Sequence, residues 1–187
     1  MFGAKTLVLR PSLALLGVLL SACATGPEPW NVPTGSIVIV NESITVPGHS
    51  AHAVIQDGKT LSYWDVDRYA AHCLLEMKQR LASPQVVKPG RFTVIKNSQD
   101  INTTSVAPTL VASLLLAYSE EPSGFLNEMY LTSPDQPDVF RLTCRRYGFL
   151  DDTTLANRYT TIQQMQDALG KLITLQLSHP ESDAPKK

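Results

Sequence analysis

Three cysteines, four histidines and one short arginine cluster are the residues whose types could do chemistry in this chain, and their spacing narrows what that chemistry is. His72-Cys73 puts an imidazole beside a thiol, the makings of a metal or redox site. On a strand, however, adjacent side chains face opposite sides, so the two cannot easily share one ion. Cys73, Leu75 and Met77 alternate onto one strand face, and Phe140, Leu142 and Cys144 alternate onto another. Both thiols are then directed into a core, and the expectation is a Cys73–Cys144 disulfide. Closing a loop of about 72 residues contributes roughly 4 kcal/mol in the chain-entropy model.

The remaining candidates are weaker in chemical terms. His49-x-x-His52 follows Pro47-Gly48 in a turn, where the shared face that a helix gives spaced histidines is missing. Asp57, Asp65 and Asp67 offer oxygen ligands, but no bidentate glutamate closes a calcium loop, and Asp57 is needed for a turn. The chain holds no Gly-x-Ser-x-Gly elbow, and Glu120-Glu121 reads as a solvated pair ahead of Pro122. An enzyme built on His72 or Glu76 is the least favoured reading. We therefore expect no catalytic residue, no metal site and no cofactor. Arg141, Arg145 and Arg146 form the one local basic concentration, with Arg141 and Arg145 on the face opposite Phe140, Leu142 and Cys144. They are the candidate partner patch, suited to an acidic protein or to glycan.

Cys23 belongs to a different pattern. Lys5 and Arg10 precede the apolar run Leu13–Leu20, and Leu20-Ser21-Ala22 leads directly into the cysteine. The run is too short to span a bilayer and has the charged, apolar and small-residue regions of a secretory signal. Leu20-Ser21-Ala22-Cys23 resembles the lipobox of bacterial lipoproteins. The resemblance covers only this segment. It implies cleavage before Cys23, acylation of its thiol and new amino terminus, and, with Ala24 rather than Asp next, residence in the outer membrane facing the periplasm. Two or more acyl chains give stable anchoring where one does not. An oxidising compartment also suits the disulfide. Tyr69–Glu76, Gly90-Arg91-Phe92, Asn127–Ser133 and Leu142-Thr143-Cys144 are similar to stretches of small uncharacterised proteobacterial lipoproteins, a resemblance that carries over no binding or catalytic residue.

Removing residues 1–22 leaves 165 and, with Lys5 and Arg10 gone, takes the formal charge from −1 to −3. That length suits one domain with a core, and a weakly acidic chain without a Lys/Arg stripe argues against nucleic acid. The elements that must position the cysteines and arginines are strands. Residues 23–35, rich in Pro and Gly, read as an extended tether from the lipidated Cys23, in which Trp30 serves either as an interfacial anchor or as a residue docked on the domain. Strands are expected at Ser36–Val40, Ser43–Val46, Cys73–Gln79, Arg91–Lys96, Asn127–Thr132 and Val139–Arg145. Ala51–Gln56 and Lys59–Tyr63 flank Asp57-Gly58, a two-residue hairpin turn. Val106–Tyr118 reads as a buried strand in preference to a helix. Ile162, Met165, Leu169, Leu172, Ile173 and Leu177 recur at helical spacing, giving an amphipathic helix over 154–177 capped by Asp151, Asp152 and Thr153. Residues 178–187 read as a disordered tail.

The expected architecture over 36–177 is mainly β (α+β): an antiparallel β sandwich or partly open barrel with one C-terminal amphipathic helix. The expected function is that of an outer-membrane-anchored periplasmic lipoprotein with a non-catalytic accessory or protein-interaction role. Its partners are then the membrane, through the N-terminal lipid, and an envelope protein. The alternative is a module that binds a small, lipid-like ligand in an apolar pocket. A hydrolase ranks third.

Overall fold

The computed structural model describes residues 29–102, 123–149 and 158–178. The signal segment, Cys23, Glu120-Glu121, the Val106–Tyr118 run, Asp151–Thr153 and residues 179–187 lie outside them. The fold is mainly β, a curled antiparallel half-barrel, as the alternating patterns led one to expect.

Ten strands are present among the described residues: β1 (Ile37–Val40), β2 (Ile44–Val46), β3 (His52–Gln56), β4 (Lys59–Leu61), β5 (His72–Met77), β6 (Gln85–Val87), β7 (Gly90–Asn102), β8 (Ser123–Thr132), β9 (Val139–Gly148) and β10 (Ile173–Gln176). Eight of them form one antiparallel sheet in the order β10-β1-β7-β8-β9-β5-β3-β4, while β2 and β6 pair separately. The Asp57-Gly58 turn forms as its sequence requires, with φ of 51° and 68° at its two residues.

The curled sheet closes around an apolar core. Val38, Phe92, Val94, Met129, Leu142, Leu75 and Ile55 point inward from six neighbouring strands, and Ile44, Val46 and Val87 enter from the small sheet. The helix α1 (Ile162–Leu169) fills the remaining volume with Met165, Ala168 and Leu169. This helix also reaches one free edge of the sheet and the β3–β4 turn. At that edge Gln166 replaces a missing strand, its Oε1 accepting from the Leu175 amide at 2.9 Å and its Nε2 donating to the Ile173 carbonyl at 2.9 Å. At the β3–β4 turn the Gly58 amide donates to the Ala168 carbonyl at 3.0 Å. Exposed strand edges invite pairing with other chains, and Gln166 occupies the β10 edge at Ile173 and Leu175.

The C-terminal region departs from the expected single helix over 154–177. Gly170 ends α1 with φ of +54°, and β10 follows, paired with β1. Leu169, Leu172 and Ile173 fit a helical stripe, but Ile173 is β-branched and Gly170 disfavours a helix interior, so the tertiary pairing wins. The helix α1 carries a cap of its own. Thr161 accepts from the Gln164 amide while the Gln164 side chain accepts from the Thr161 amide, a capping box written in the sequence as Thr-x-x-Gln.

Residues 29–35 depart from the extended tether expected over 23–35. Trp30 packs with Phe125 and Tyr159, Val32 is buried, and the Asn97 side chain donates to Asn31 Oδ1 and to the Val32 carbonyl. Residues 29–35 therefore belong to the domain, and Trp30 takes the docked alternative.

Candidate functional site

The Cys73–Cys144 disulfide is present, joining residues directly opposite each other on β5 and β9 with both side chains fully buried. The same two strands carry the chemistry-bearing residues on their outer face, because alternate positions point away from the core. His72 lies opposite Arg145, Leu74 opposite Thr143 and Glu76 opposite Arg141. On the other side of β9, Tyr130 lies opposite Arg141 and Glu128 opposite Thr143.

These pairs create a three-strand charge ladder centred on Arg141. Its Nε and Nη2 donate to the two Glu76 oxygens at 3.0 and 2.8 Å, and its Nη1 donates to Glu128 Oε1. Glu76 Oε1 also accepts from Thr143 Oγ1 at 2.6 Å. Glu128 Oε2 accepts from Ser98 Oγ at 3.2 Å and Tyr130 Oη at 3.3 Å. The guanidinium lies 5.7 Å from the Tyr130 ring and 5.3 Å from that of Phe140, and Lys96 lies 4.9 Å from the Tyr130 ring. Burial works against the Arg141 charge, but the Glu76 hydrogen bonds and charge, Tyr130 and Glu128 outweigh it, so its pKa is raised. Two mostly buried carboxylates thus clamp one cation, with side-chain exposures of 15% and 13% against 23% for the arginine.

Phe140 reaches this outer face because of a bulge. The register of β5 and β9 shifts between Glu76 and Met77, which pair with Arg141 and Val139. Phe140 is the extra residue, and Val139 takes the core position that strict alternation assigned to Phe140.

The two histidines on this face both have lowered pKa values, with burial the largest cause in each. His72 is buried, with Nδ1 3.0 Å from the Ala70 carbonyl and Nε2 accepting from Arg145 Nε at 3.1 Å. Burial lowers its pKa, and Arg145 acts in the same direction. His52, opposite Glu76, is also lowered by burial, with the Glu76 charge partly opposing. The expectation that His72 and Cys73 diverge holds. His49 sits in a turn at φ of 59° and does not share the β3 face of His52.

The three arginines of the candidate patch separate in space and in partner. Arg141 is taken up by carboxylates, Arg145 by His72, and Arg146, one face over, donates to the Arg158 carbonyl at 3.2 Å. They do not present one basic surface. Asp67 serves its own loop, Oδ1 accepting from the Tyr69 amide at 2.9 Å. Among the described residues no group of three or more His, Cys, Asp or Glu is placed to hold a metal ion. Also among them, a cavity of about 140 Å³ is lined by Asn31, Asn97, Ser98 and Gln99, smaller and more polar than ordinary ligand pockets of about 300–1,000 Å³.

Sequence reasoning missed Glu128, Thr143, Tyr130 and Ser98. For Glu128, Tyr130 and Thr143 the signal was the period-2 alternation of polar residues along β8 and β9, which becomes a cluster, joined by Ser98 from β7, only once strand order is known.

Chemically, the ladder fixes charge and does not expose it. Both carboxylates spend their acceptor positions on donors already in the fold, so the arrangement braces β5, β9 and β8 against one another. By class, the chain is a disulfide-bridged antiparallel half-barrel closed by a helix. A scan against protein-family models finds no match, and searches of curated proteins and of solved structures find none either.

Proposed function

We propose that this protein is a lipid-anchored periplasmic lipoprotein of the outer membrane with a non-catalytic accessory or protein-interaction role. The observation that carries the reading is the Leu20-Ser21-Ala22-Cys23 motif at the end of an apolar export signal. The fully buried Cys73–Cys144 bridge is in keeping with it, since structural disulfides persist in oxidising compartments. The non-catalytic part is supported by the outer-face ladder, in which the most chemically capable side chains are each other's partners. The small-ligand alternative draws less support, because the interior of the half-barrel is filled by α1 and the β2–β6 pair.

The test is crosslinking of the natively anchored protein in its envelope, followed by mass spectrometry, with Cys23→Ser as control. A reproducible protein partner lost in the control is the expected result. A copurifying small molecule with no protein partner would replace the interaction role by the ligand-binding one.

A further inference from the structure

Residues 62–71, between β4 and β5, carry the most exposed large apolar side chains of the described chain. Trp64 is 84% and Tyr69 59% exposed. The loop is nonetheless tightly tied. The Gln56 side chain donates to the Asp67 carbonyl and accepts from the Asp67 amide, and the Arg68 carbonyl accepts from the Tyr147 amide at 2.8 Å. Arg68 lies over the Tyr63 ring, which in turn meets Trp64 edge to face. A restrained loop that shows water an indole has a reason outside its own packing, because Trp and Tyr gain most where one side is apolar and the other wet.

The Tyr147 contact fixes where this loop sits. Tyr147 lies opposite Gly124 and Arg146 opposite Phe125, so the loop borders the end of the sheet where β8 begins and β9 finishes. Trp30 docks on Phe125 at that end, and the Pro29 carbonyl is held there by the Ile162 amide at 2.7 Å. The chain therefore enters the domain beside the aromatic loop. Phe149 and Ile101, 45% and 37% exposed, lie at the same end. The chain between Asn102 and Ser123, whose sequence contains the apolar run Val106–Tyr118, also departs from and returns to it.

Reach then limits where this end can go. With Trp30 docked, only six residue steps separate Pro29 from Cys23, a span of at most about 20 Å. An acylated Cys23 keeps this end of the half-barrel within that distance of the lipid. The charges here are mixed, with Arg68, Arg146 and Arg158 set against Asp65, Asp67 and Asp100. Aromatic partition, not attraction to anionic lipid, is the driving term that this composition favours.

We infer that the 62–71 loop is a second membrane contact, seating Trp64 and Tyr69 in the phospholipid headgroup interface beside the anchor. This deepens the lipoprotein reading and rests on it. The test uses the mature, natively acylated protein in vesicles of phosphatidylethanolamine and phosphatidylglycerol carrying brominated acyl chains, which quench nearby indoles. Trp30 and Trp64 are the two tryptophans, so Trp64→Phe isolates the buried Trp30 signal, and the difference from wild type reports Trp64. The expected result is a roughly twofold quenching of the Trp64 component, little changed when phosphatidylglycerol is omitted. Protein that stays on the vesicles with its Trp64 emission unquenched overturns the loop contact and leaves the anchor standing, assigning the aromatic residues to another partner. Protein that washes off overturns the anchor and the contact together.

Discussion

The two faces of β5 and β9 are made by the same backbone pairs, yet they hold the sheet by opposite means. Inward, Cys73–Cys144 and Leu75–Leu142 join a disulfide to apolar contact; outward, Glu76–Arg141 and His72–Arg145 join charge to hydrogen bonds. The inner face fixes its register through one covalent pair, Cys73 opposite Cys144, while its apolar neighbours need only be buried. The outer face needs a particular register, since a shift by one residue would leave Arg141 without its acceptors. The bulge at Phe140 belongs to the same difference, because it keeps Val139 in the core while holding Arg141 opposite Glu76.

Breaking the inner face costs the most. The Cys73→Ala, Cys144→Ala double variant removes a bridge across 71 residues and is expected to lose roughly 4 kcal/mol in urea unfolding. Reduction of the wild-type protein should produce a comparable loss. On the outer face, Arg141→Ala leaves Glu76 and Glu128 facing each other without their cation, for an expected loss of roughly 3 kcal/mol. Arg141→Met combined with Glu76→Gln and Glu128→Gln should recover much of it. If the triple variant is worse than Arg141→Ala, the ladder contributes more than mutual neutralisation.

At the helix-closed seam, a Cβ on Gly170 would stand 2.5 Å from the Gly58 Cα, and its φ of +54° disfavours any L side chain. Gly170→Ala is expected to cost about 2 kcal/mol by thermal unfolding, separating the hairpin tip from α1. The smallest effect concerns pH. His52 and His72 both titrate below their ordinary 6.5, chiefly through burial, so the unfolded chain binds more protons in mild acid. Stability is present above the unfolded pKa and falls as pH drops below it. Urea midpoints should decline from about pH 7.5 to about 5.5, with a shallower slope in His72→Asn.

The inner face was largely legible in the sequence. Alternation over Cys73–Met77 and Leu142–Cys144 located both thiols, and Asp57-Gly58 fixed the β3–β4 hairpin. The outer ladder was not legible, because it joins Ser98, Glu128, Arg141 and Glu76 from four strands whose order no local pattern encodes. The C-terminal helix was half legible. Its capping box was written at Thr161 and Gln164, but its end at Gly170 was obscured by apolar residues that satisfy both the helical and the strand period. Residues 29–35 misled by composition, since prolines describe an extended backbone and say nothing of whether Trp30 and Val32 find a surface to cover.

The intact mass of the mature protein, purified from the envelope without reductant, tests anchor and bridge in one spectrum. The expected species begins at Cys23, carries acyl additions there, and is two hydrogens lighter than its fully reduced form. A chain beginning elsewhere, an unacylated Cys23, or free thiols at Cys73 and Cys144 would contradict a lipoprotein held together in an oxidising compartment.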